Sequence, residues 1–392
     1  MTDAILTMNA GSSSFKFALY RTSEAGQALL CKGGVEGIGA RSVFTARDKA
    51  GAILQKRSSQ PHQDHQSLLA DLLGWVDSHL GNDTLVACGH RVVHGGTEFA
   101  GPVKVTPPIL AKLDDMVPLA PLHQERNIAA IRAIEAARPA LCQVACFDTA
   151  FHRTLAPVAR RVGLPRKWEK KGVRRYGFHG LSYEYIAGRL SALSPRLAKG
   201  RTIVAHLGNG ASLCALKAGQ SVDTTMGFTP LDGLVMGTRC GALDPGIVLY
   251  LQRHYKMSGA EIEDLLYNHA GLLGVSGISG DMRALLASKD AAARDAVALF
   301  IFQVTRQSGA MAATLGGLDG FVFTAGIGEN APQIRSEICN RLGWLGIQLD
   351  EAANRQGQGR ISAAGSRAEV WVVPTDEEAT IAAHTAAIFA TR

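Results

Sequence analysis

Two stretches about half a chain apart repeat one pattern of apolar and small polar residues. Residues 4–20 form an apolar run, the turn Asn9-Ala10-Gly11-Ser12-Ser13-Ser14 and a second apolar run. Residues 202–216 repeat this order around Gly208-Asn209-Gly210-Ala211-Ser212. An apolar strand, a turn of Gly, Asn and Ser, and another strand predict a β-hairpin. Two such hairpins indicate a chain built from two related halves, although a similarity this short can also arise by coincidence.

Helical patterns alternate with short apolar strands along the rest of the chain, which predicts an α/β fold. A third glycine-rich turn, Gly326–Pro332, follows the apolar strand Gly320–Ala325, and its proline is placed to begin a helix. Helices are predicted at residues 66–80, 124–137, 182–191, 259–267, 291–315 and 333–342.

Composition restricts the class of protein. Hydrophobic residues make up 46% and charged residues 19%, which excludes a disordered chain, and no apolar run is long enough to span a membrane. The first twenty residues lack the features of a secretory signal, so we expect a cytoplasmic protein. The seven scattered cysteines fit reduced thiols.

The net charge of +7 suits small anionic substrates, and no basic stripe with aromatic residues predicts nucleic-acid binding. The segment Arg153–Arg175 is strongly basic. It is either a solvated loop or a basic rim beside an anion site.

The three glycine-rich turns are candidate phosphate sites, because glycine lets backbone N–H groups approach phosphate oxygens. None is a P-loop, and no G-x-G-x-x-G lies between a strand and a helix. A single turn of this kind is more often structural. Three of them, with Lys16 just beyond the first, favour a phosphate-binding protein.

Two arginines stand among glycines and apolar residues, Arg91 in Gly89–Gly96 and Arg239 in Gly237–Gly246. Each is either a solvated edge residue or a fork for a carboxylate or phosphate. The carboxylates of Pro374–Glu378 follow an apolar strand, where Mg²⁺ could bind. The histidines in apolar surroundings are individually more typical of a satisfied core. No zinc spacing and no G-x-S-x-G motif are present.

Taken together, these motifs resemble the acetate kinases. The opening signature is Asn9–Phe17 and the second signature is Gly177–Gly180. The remaining motifs follow in the family's order, and the resemblance covers residues 4 to about 385: Gly89–Gly96, Phe147–His152, His206–Ser212, Asp223–Pro230, the Arg239 segment, Gly326–Pro332 and Pro374–Glu378.

The resemblance implies an α/β fold of two duplicated actin-like (ribonuclease H-like) ATPase domains with a nucleotide cleft between them. Residues 1–150, completed by about 380–392, would form the N-terminal domain, and 151–379 the C-terminal domain with most of the nucleotide site. It also implies a homodimer and reversible phosphoryl transfer from ATP to acetate, giving ADP and acetyl phosphate. Mg²⁺ would be required, with Mn²⁺ as a substitute. Neither nucleic acid nor a membrane is an expected partner.

The resemblance also implies roles for individual residues. The catalytic residues would be Asp148, His179 and Arg239, with Asp148 as the family's catalytic acid or base. Because an acceptor carboxylate is already ionised at pH 7, we instead interpret Asp148 as orienting Arg91 or a metal-bound water. The acetate-binding residues would be Arg91, Val93, Leu122, Phe178 and Pro230. The nucleotide-binding residues would be Ser12, Lys16, His206, Leu207, Gly208, Asn209, Gly210, Asp281, Met282, Arg283, Gly326, Ile327, Gly328, Glu329 and Asn330. The Mg²⁺ ligands would be Asn9 and Glu377.

The chain departs from the family pattern at several positions. Gln124 stands where the family usually has Asn, and Tyr183 stands where it usually has His, so any cationic role of that His is lost. Cys240 and Ala242 replace the usual Ser and Asp beside Arg239.

Two rival functions remain at this point. One is a short-chain acyl kinase preferring propionate or butyrate, and the other is an actin-like nucleotide switch without kinase activity. The β-branched Val93 favours acetate over propionate, because it leaves little room for a further methylene.

Overall fold

The computed structural model describes residues 2–11, 14–23, 26–38, 41–58 and 65–391. The strands are β1 Asp3–Ala10, β2 Ser14–Ser23, β3 Gly26–Glu36, β4 Val43–Asp48, β5 Ile53–Ser58, β6 Thr84–Val92, β7 Val103–Lys104, β8 Cys142–Phe147, β9 Arg201–Leu207, β10 Ala211–Lys217, β11 Gln220–Thr224, β12 Gly320–Thr324, β13 Gly359–Arg360 and β14 Glu369–Val372.

The helices are α1 His65–His79, α2 Pro107–Asp115, α3 Pro121–Ala137, α4 Pro157–Arg160, α5 Arg166–Glu169, α6 Gly180–Leu193, α7 Pro195–Lys199, α8 Pro245–His254, α9 Gly259–Asn268, α10 Gly271–Ser276, α11 Met282–Ala287, α12 Ala291–Leu315, α13 Ala325–Asn330, α14 Pro332–Arg341, α15 Glu351–Gln356 and α16 Glu377–Ala390. Short 3₁₀ helices lie at Val117–Leu119, Ala150–Thr154 and Gly343–Leu345.

The chain divides into two compact units. Unit 1 comprises Met1–Phe151 and Asp376–Arg392, and unit 2 comprises His152–Thr375. None of the helices within the described ranges combines the length and apolar character that crossing a membrane requires.

The described strands of unit 1 form one sheet in the order β5-β4-β3-β2-β1-β6-β8-β7. The first hairpin, β1–β2, is antiparallel as the sequence predicts, and its register places Asn9 opposite Lys16. Strands β1, β6 and β8 are parallel neighbours. Their carboxyl ends therefore meet at one edge of the sheet.

The described strands of unit 2 form a sheet in the order β11-β10-β9-β12-β14-β13. Its hairpin β9–β10 is antiparallel, while β9, β12 and β14 run parallel. The order β3-β2-β1-β6-β8 in unit 1 and the order β11-β10-β9-β12-β14 in unit 2 are therefore the same, with the same strand directions. This repeated topology confirms the two related α/β halves predicted from the hairpins.

The core of unit 1 lies on both faces of its sheet. On one face, Phe17 packs in a cluster with Phe44 and Trp75 of α1. On the other face, Ala382 of α16 packs against Ala18 and Tyr20. Gly89 on β6 makes the approach of α16 possible, because a Cβ there would collide with Thr385. This contact explains why the C-terminal helix belongs to unit 1.

The Gly326–Pro332 segment differs from its prediction. The sequence pattern predicts a turn, whereas residues Ala325–Asn330 form the short helix α13 before Pro332 begins α14. A side chain four residues along stabilises the start of α13, since Glu329 Oε1 accepts a hydrogen bond of 2.8 Å from the Ala325 N–H. The basic segment Arg153–Arg175 contains the end of the 3₁₀ helix Ala150–Thr154 and two one-turn helices, α4 and α5, and is otherwise irregular.

Candidate active site

The side chains of Asp148, Asn9 and Glu377, all in unit 1, lie around the Arg91 guanidinium. Asp148 accepts from Arg91 Nε at 3.0 Å through Oδ1 and from Nη2 at 2.6 Å through Oδ2. Asn9 Oδ1 accepts from Nη1 at 3.1 Å. The Asp148 side chain is only 1% exposed and that of Arg91 is 22% exposed. The paired fork is therefore held rigidly at the edge of the unit.

The sheet explains why these residues meet. Asn9 lies near the end of β1, Arg91 near the end of β6, and Asp148 directly after β8. The Asp148 N–H donates to the Val92 carbonyl at 3.1 Å, which fixes the turn after β8. The crevice outside the carboxyl ends of parallel strands is the usual ligand-binding place in α/β sheets.

Glu377 begins α16 and its Oε2 lies 3.8 Å from Arg91 Nε. Burial raises the pKa of Glu377 well above its usual range, and the neighbouring charges of Asp148 and Glu378 add to the rise, against the opposing charges of Arg91 and Lys16. For the Arg91 guanidinium, burial alone would lower the pKa, but the Asp148 and Glu377 carboxylates raise it.

The oxygen donors around Arg91 fit a small hard cation. Carboxylate and amide oxygens are suitable Mg²⁺ ligands, and Mg²⁺ keeps several waters while taking one or two protein carboxylates. Glu377, Asp148 and Asn9 supply such oxygens. No group of three or more His, Cys, Asp and Glu able to hold a metal ion occurs in the described part of the chain.

Helix α3 contributes two buried amides that the sequence analysis did not assign to the site. Asn127 accepts from the Val93 N–H at 3.0 Å and donates to the Ala10 carbonyl at 3.0 Å. Gln124 accepts from the His94 N–H at 3.2 Å and donates to the His94 carbonyl at 3.1 Å. Both amides thus hold the backbone beside Arg91. Their spacing of three residues on a helix that follows Pro121 is the signal that could have revealed them.

Two histidine rings of unit 2 stack with a centroid distance of 4.2 Å, His179 on His206. Each ring has its Nδ1 beside a serine hydroxyl at 2.8 Å, Ser212 for His179 and Ser182 for His206. The Tyr183 hydroxyl lies 2.5 Å from Ser212 Oγ. Tyr183, one of the residues at which the chain departs from the family pattern, is therefore part of this cluster.

His179 adopts an unusual backbone conformation, with φ of 57° directly before α6. A positive φ outside glycine is strained and persists only where the surroundings enforce it. His152 supplies part of that constraint, since its ring lies 3.0 Å from the Phe178 carbonyl and 2.8 Å from Ser221 Oγ. His152 is thus a hydrogen-bonded core histidine. This is the role that is more typical of a histidine in apolar surroundings.

Arg239 and His179 converge on Gly210. A Cβ at Gly210 would lie 3.0 Å from Arg239 Nη2 and 3.4 Å from His179 Nε2. Arg239 Nη1 donates to the Pro230 carbonyl at 2.8 Å, and Pro230 is buried. The missing side chain of Gly210 therefore leaves room bordered by a guanidinium nitrogen and an imidazole nitrogen.

A cavity of about 1050 Å³ lies in unit 2. It brings together residues from three of the four predicted nucleotide segments, namely Gly208, Asn209, Asp281, Met282, Arg283, Gly326, Ile327 and Asn330. Within this cavity, Asp281 accepts from the Arg283 backbone N–H at 2.8 Å and from its Nη2 at 2.6 Å.

Not every predicted nucleotide residue lines the cavity. Leu207 and Gly328 are buried in the unit, and Glu329 is occupied with the N–H of Ala325. Sequence reasoning missed further lining residues: Gly280, Leu286, Ala287, Ala331 and Gln333. Leu286 follows Met282 by one helical turn, a spacing that could have predicted it.

The two remaining predicted site residues are Ser12 and Leu122. Ser12 lies outside the described residues. Leu122 lies in the first turn of α3.

The repeated sheet topology puts the protein in the class of α/β proteins with two actin-like units. An acetate kinase from Rhodopseudomonas palustris (strain TIE-1) is 52% identical over 389 residues, covering 98% of each chain. The solved structure of a propionate kinase from Francisella tularensis subsp. tularensis SCHU S4 is 36% identical with a TM-score of 0.91, covering 98% of this chain and all of that one. Porphyromonas gingivalis acetate kinase is 36% identical with a TM-score of 0.87, covering 98% and 99%.

The family model of the acetokinase family matches residues 4–383. The chain belongs to the acetokinase family.

Proposed function

We propose that this protein transfers the terminal phosphoryl group of ATP to acetate, reversibly, giving acetyl phosphate and ADP. It is thus a phosphotransferase with a carboxyl group as acceptor. The observation that carries the proposal is the convergence of Arg239 Nη2 and His179 Nε2 beside Gly210. The transition state of phosphoryl transfer spreads negative charge over three oxygens, and two donors directed at one small space suit that charge.

Arg91 is assigned to the carboxylate of the acceptor. Its fork is already fixed by Asp148 and Asn9, so little side-chain entropy is lost on binding. Acetate is ionised at neutral pH, so no general base is needed to create the nucleophile. We therefore assign Asp148 to orienting Arg91, an assignment that its two-oxygen contact with the guanidinium supports.

The unit 2 cavity is assigned to the nucleotide. Its lining by the glycine-rich segments at Gly208 and Gly326 supports this, since backbone without a Cβ can approach phosphates and sugar closely. Lys16 is assigned to the phosphates because of its place opposite Asn9 in the first hairpin.

Mg²⁺ is the proposed cofactor, held by Glu377 with Asn9. When bound, the ion would neutralise phosphate charge and orient the transferring group. Glu377→Ala should raise the Mg²⁺ concentration needed for half-maximal activity more than it changes the KM for acetate. Glu98→Ala, which removes an exposed carboxylate elsewhere in unit 1, is the matched control. An unchanged Mg²⁺ titration for Glu377→Ala would remove this residue from the metal site.

A hydroxylamine trap tests the reaction directly. Acyl hydroxamate should form only when ATP, Mg²⁺ and acetate are all present. ATP hydrolysis that is indifferent to acetate, with no hydroxamate, would contradict the proposal and favour the nucleotide switch.

Propionate is the second candidate acceptor, and the likeness to the propionate kinase structure favours testing it. The same assay with propionate in place of acetate separates the two acceptors by their ratio of kcat/KM.

A homodimer is also proposed, with α8 at its interface. No residue of α8 is buried, and its apolar side chains Ile247, Leu249 and Tyr250 are 42–53% exposed. A ten-residue helix is marginal without packing, and an apolar face is complementary to a second copy of itself. Leu249→Asp should shift the mass measured by light scattering towards a monomer. ATP and acetate as substrates support a cytoplasmic location, as do the seven cysteines, which form no disulfide in the described structure.

A further inference from the structure

A chain of hydrogen bonds leads from the interior of unit 2 to the His179 ring. The side chain of Tyr183, on α6, is fully buried, and its hydroxyl lies 2.5 Å from Ser212 Oγ on β10. Ser212 Oγ in turn lies 2.8 Å from His179 Nδ1. The hydroxyls of Tyr183 and Ser212 therefore form a hydrogen-bonded chain that ends at Nδ1 of His179.

The direction of this chain follows from the number of protons that each group carries. The Tyr183 hydroxyl has one proton, and a buried O–H group must donate it to avoid the cost of an unmade hydrogen bond. Its partner is Ser212 Oγ. Burial raises the pKa of Tyr183 well above its ordinary value, with Cys214 adding to the rise, so the phenol keeps its proton.

Ser212 then has its own proton to donate, and His179 Nδ1 is the acceptor within reach. A neutral imidazole that accepts at Nδ1 carries its proton on Nε2. If instead Nδ1 carried a proton and donated to Ser212, the serine oxygen would accept from both His179 and Tyr183, and its own proton would have no acceptor within this chain of hydrogen bonds.

We propose that Tyr183 is a positioning residue which, through Ser212, holds His179 as a neutral ring with its proton on Nε2. This inference rests on the proposed function, in which His179 donates to the transferring phosphoryl group. Nε2 is the ring nitrogen that approaches Gly210 beside Arg239. This relay of Tyr183, Ser212 and His179 thus directs an N–H donor, rather than a lone pair, into the space where phosphoryl oxygens would develop charge.

The groups that face His179 from other elements act in the same direction. Arg239 Nη2 borders the same space beside Gly210, and its positive charge opposes a second positive charge on the ring. His206 on β9 stacks against His179, and its Nδ1 is held by Ser182. Arg239 therefore supplies the charge at this site, and His179 supplies a neutral hydrogen-bond donor.

Long-range ¹H–¹⁵N correlation spectra of ¹⁵N-histidine-labelled protein test the tautomer without using activity. His179→Gln assigns the ring signals. At neutral pH the His179 ring should show an unprotonated Nδ1 and a protonated Nε2. In Tyr183→Phe the ring should become a mixture of tautomers. A wild-type His179 protonated at Nδ1 would overturn the proposal.

Kinetics provide the second test, on the full-length enzyme. Removing one hydrogen bond should lower kcat of Tyr183→Phe about 3–10-fold and move the acidic limb of its pH profile up by about 0.5–1 unit. Tyr176→Phe is the matched control, since it removes another buried hydroxyl of unit 2, one that donates to the Gly172 carbonyl at 2.7 Å. That control should leave the pH profile in place.

A double-mutant cycle separates the relay from general packing. Ser212→Ala cuts the same chain, so adding Tyr183→Phe to it should have little further effect on kcat or on the pH profile. Fully additive effects would overturn the relay. If no hydroxamate forms but the wild-type spectrum shows the expected tautomer, the proposed function fails while the relay stands.

Discussion

The two site arginines are held by different kinds of partner. Arg91 bonds to a carboxylate and an amide oxygen and has the Glu377 carboxylate nearby, whereas Arg239 donates to the neutral carbonyl of Pro230. The surroundings of Arg91 therefore fix its geometry and offset part of its charge. The Pro230 carbonyl is a neutral acceptor for Arg239 Nη1, and Arg239 Nη2 borders the space beside Gly210.

This difference predicts different kinetic effects of removing each arginine. Arg239→Ala should lower kcat by about 10³–10⁵ with little change in the KM for acetate, because its charge is needed mainly in the transition state. Arg91→Ala should raise the KM for acetate as well as lowering kcat, because it also holds the ground-state carboxylate. Initial-rate kinetics measure both effects, with exposed Arg132→Ala as control. Activity within about threefold of wild type for either variant would contradict its assignment.

Val93 predicts the choice of acyl chain. Its side chain is 5% exposed, and its N–H is fixed by Asn127, so neither side chain nor backbone yields easily. Overpacking costs about 1–3 kcal/mol, against a gain of ~0.8 kcal/mol from burying one methylene. We expect kcat/KM to favour acetate over propionate by roughly 10–200-fold.

Val93→Ala should narrow that ratio by admitting propionate. Val92→Ala is the matched control, since this substitution removes the same side-chain volume from the apolar cluster around Phe147. An unchanged ratio in Val93→Ala, or equal use of both acids by the wild type, would show that Val93 does not limit the pocket.

At the scale of elements, α13 shows how the Gly326–Asn330 side of the cavity is held. The buried Arg335 on α14 donates from Nη1 to the Gly328 and Glu329 carbonyls at 2.9 and 2.8 Å, and from Nε to Asn354 Oδ1 at 2.8 Å. It therefore satisfies carbonyls at the C-terminal end of α13, where a helix leaves acceptors without internal partners. Burial lowers the pKa of this guanidinium.

Arg335→Met should consequently loosen the Gly326–Asn330 side of the cavity. The loss of several buried hydrogen bonds should lower the free energy of unfolding by about 2–4 kcal/mol and weaken ADP binding more than it raises the KM for acetate. Calorimetric ADP titration and urea unfolding measure the two effects. Exposed Arg341→Met on the same helix is the control. Wild-type ADP affinity in a destabilised Arg335→Met would show that α13 does not depend on this residue.

The sequence predicts some of these elements well and others poorly, for physical reasons. Strand and helix periodicity located both hairpins and six of the sixteen described α-helices, including α12 at Ala291–Leu315. The glycine-rich composition of residues 326–332 concealed α13, because two side-chain contacts stabilise the helix against its low propensity. Glu329 accepts from the Ala325 N–H at one end, and Arg335 donates to carbonyls at the other. The role of Asn127 is not predicted from the sequence, because it depends on contacts with Ala10 and Val93, which are distant along the chain.

For the whole molecule, the stability in acid is set partly by two buried histidines, one in each unit. Burial lowers the pKa of His90 and of His152 from 6.5 to about 4. Each ring is hydrogen-bonded in its neutral form, His90 to Gln143 at 2.8 Å and His152 to the Phe178 carbonyl at 3.0 Å. On unfolding, both rings regain an ordinary pKa and bind protons more readily than in the fold.

The contribution of each histidine to the stability of its unit should therefore be complete above about pH 6.5 and decline as the pH falls towards about 4, because there the unfolded chain binds the extra proton. Each histidine should contribute a loss of about 2 kcal/mol between pH 6.5 and pH 5, at roughly 1.4 kcal/mol per unit. Urea unfolding from pH 7.5 to pH 5 measures this slope. His90→Gln and His152→Gln should each be less stable at pH 7.5 yet show a flatter pH dependence, whereas exposed His269→Gln should keep the wild-type slope. A wild-type slope in both buried-site variants would mean that neither ring is the titrating group.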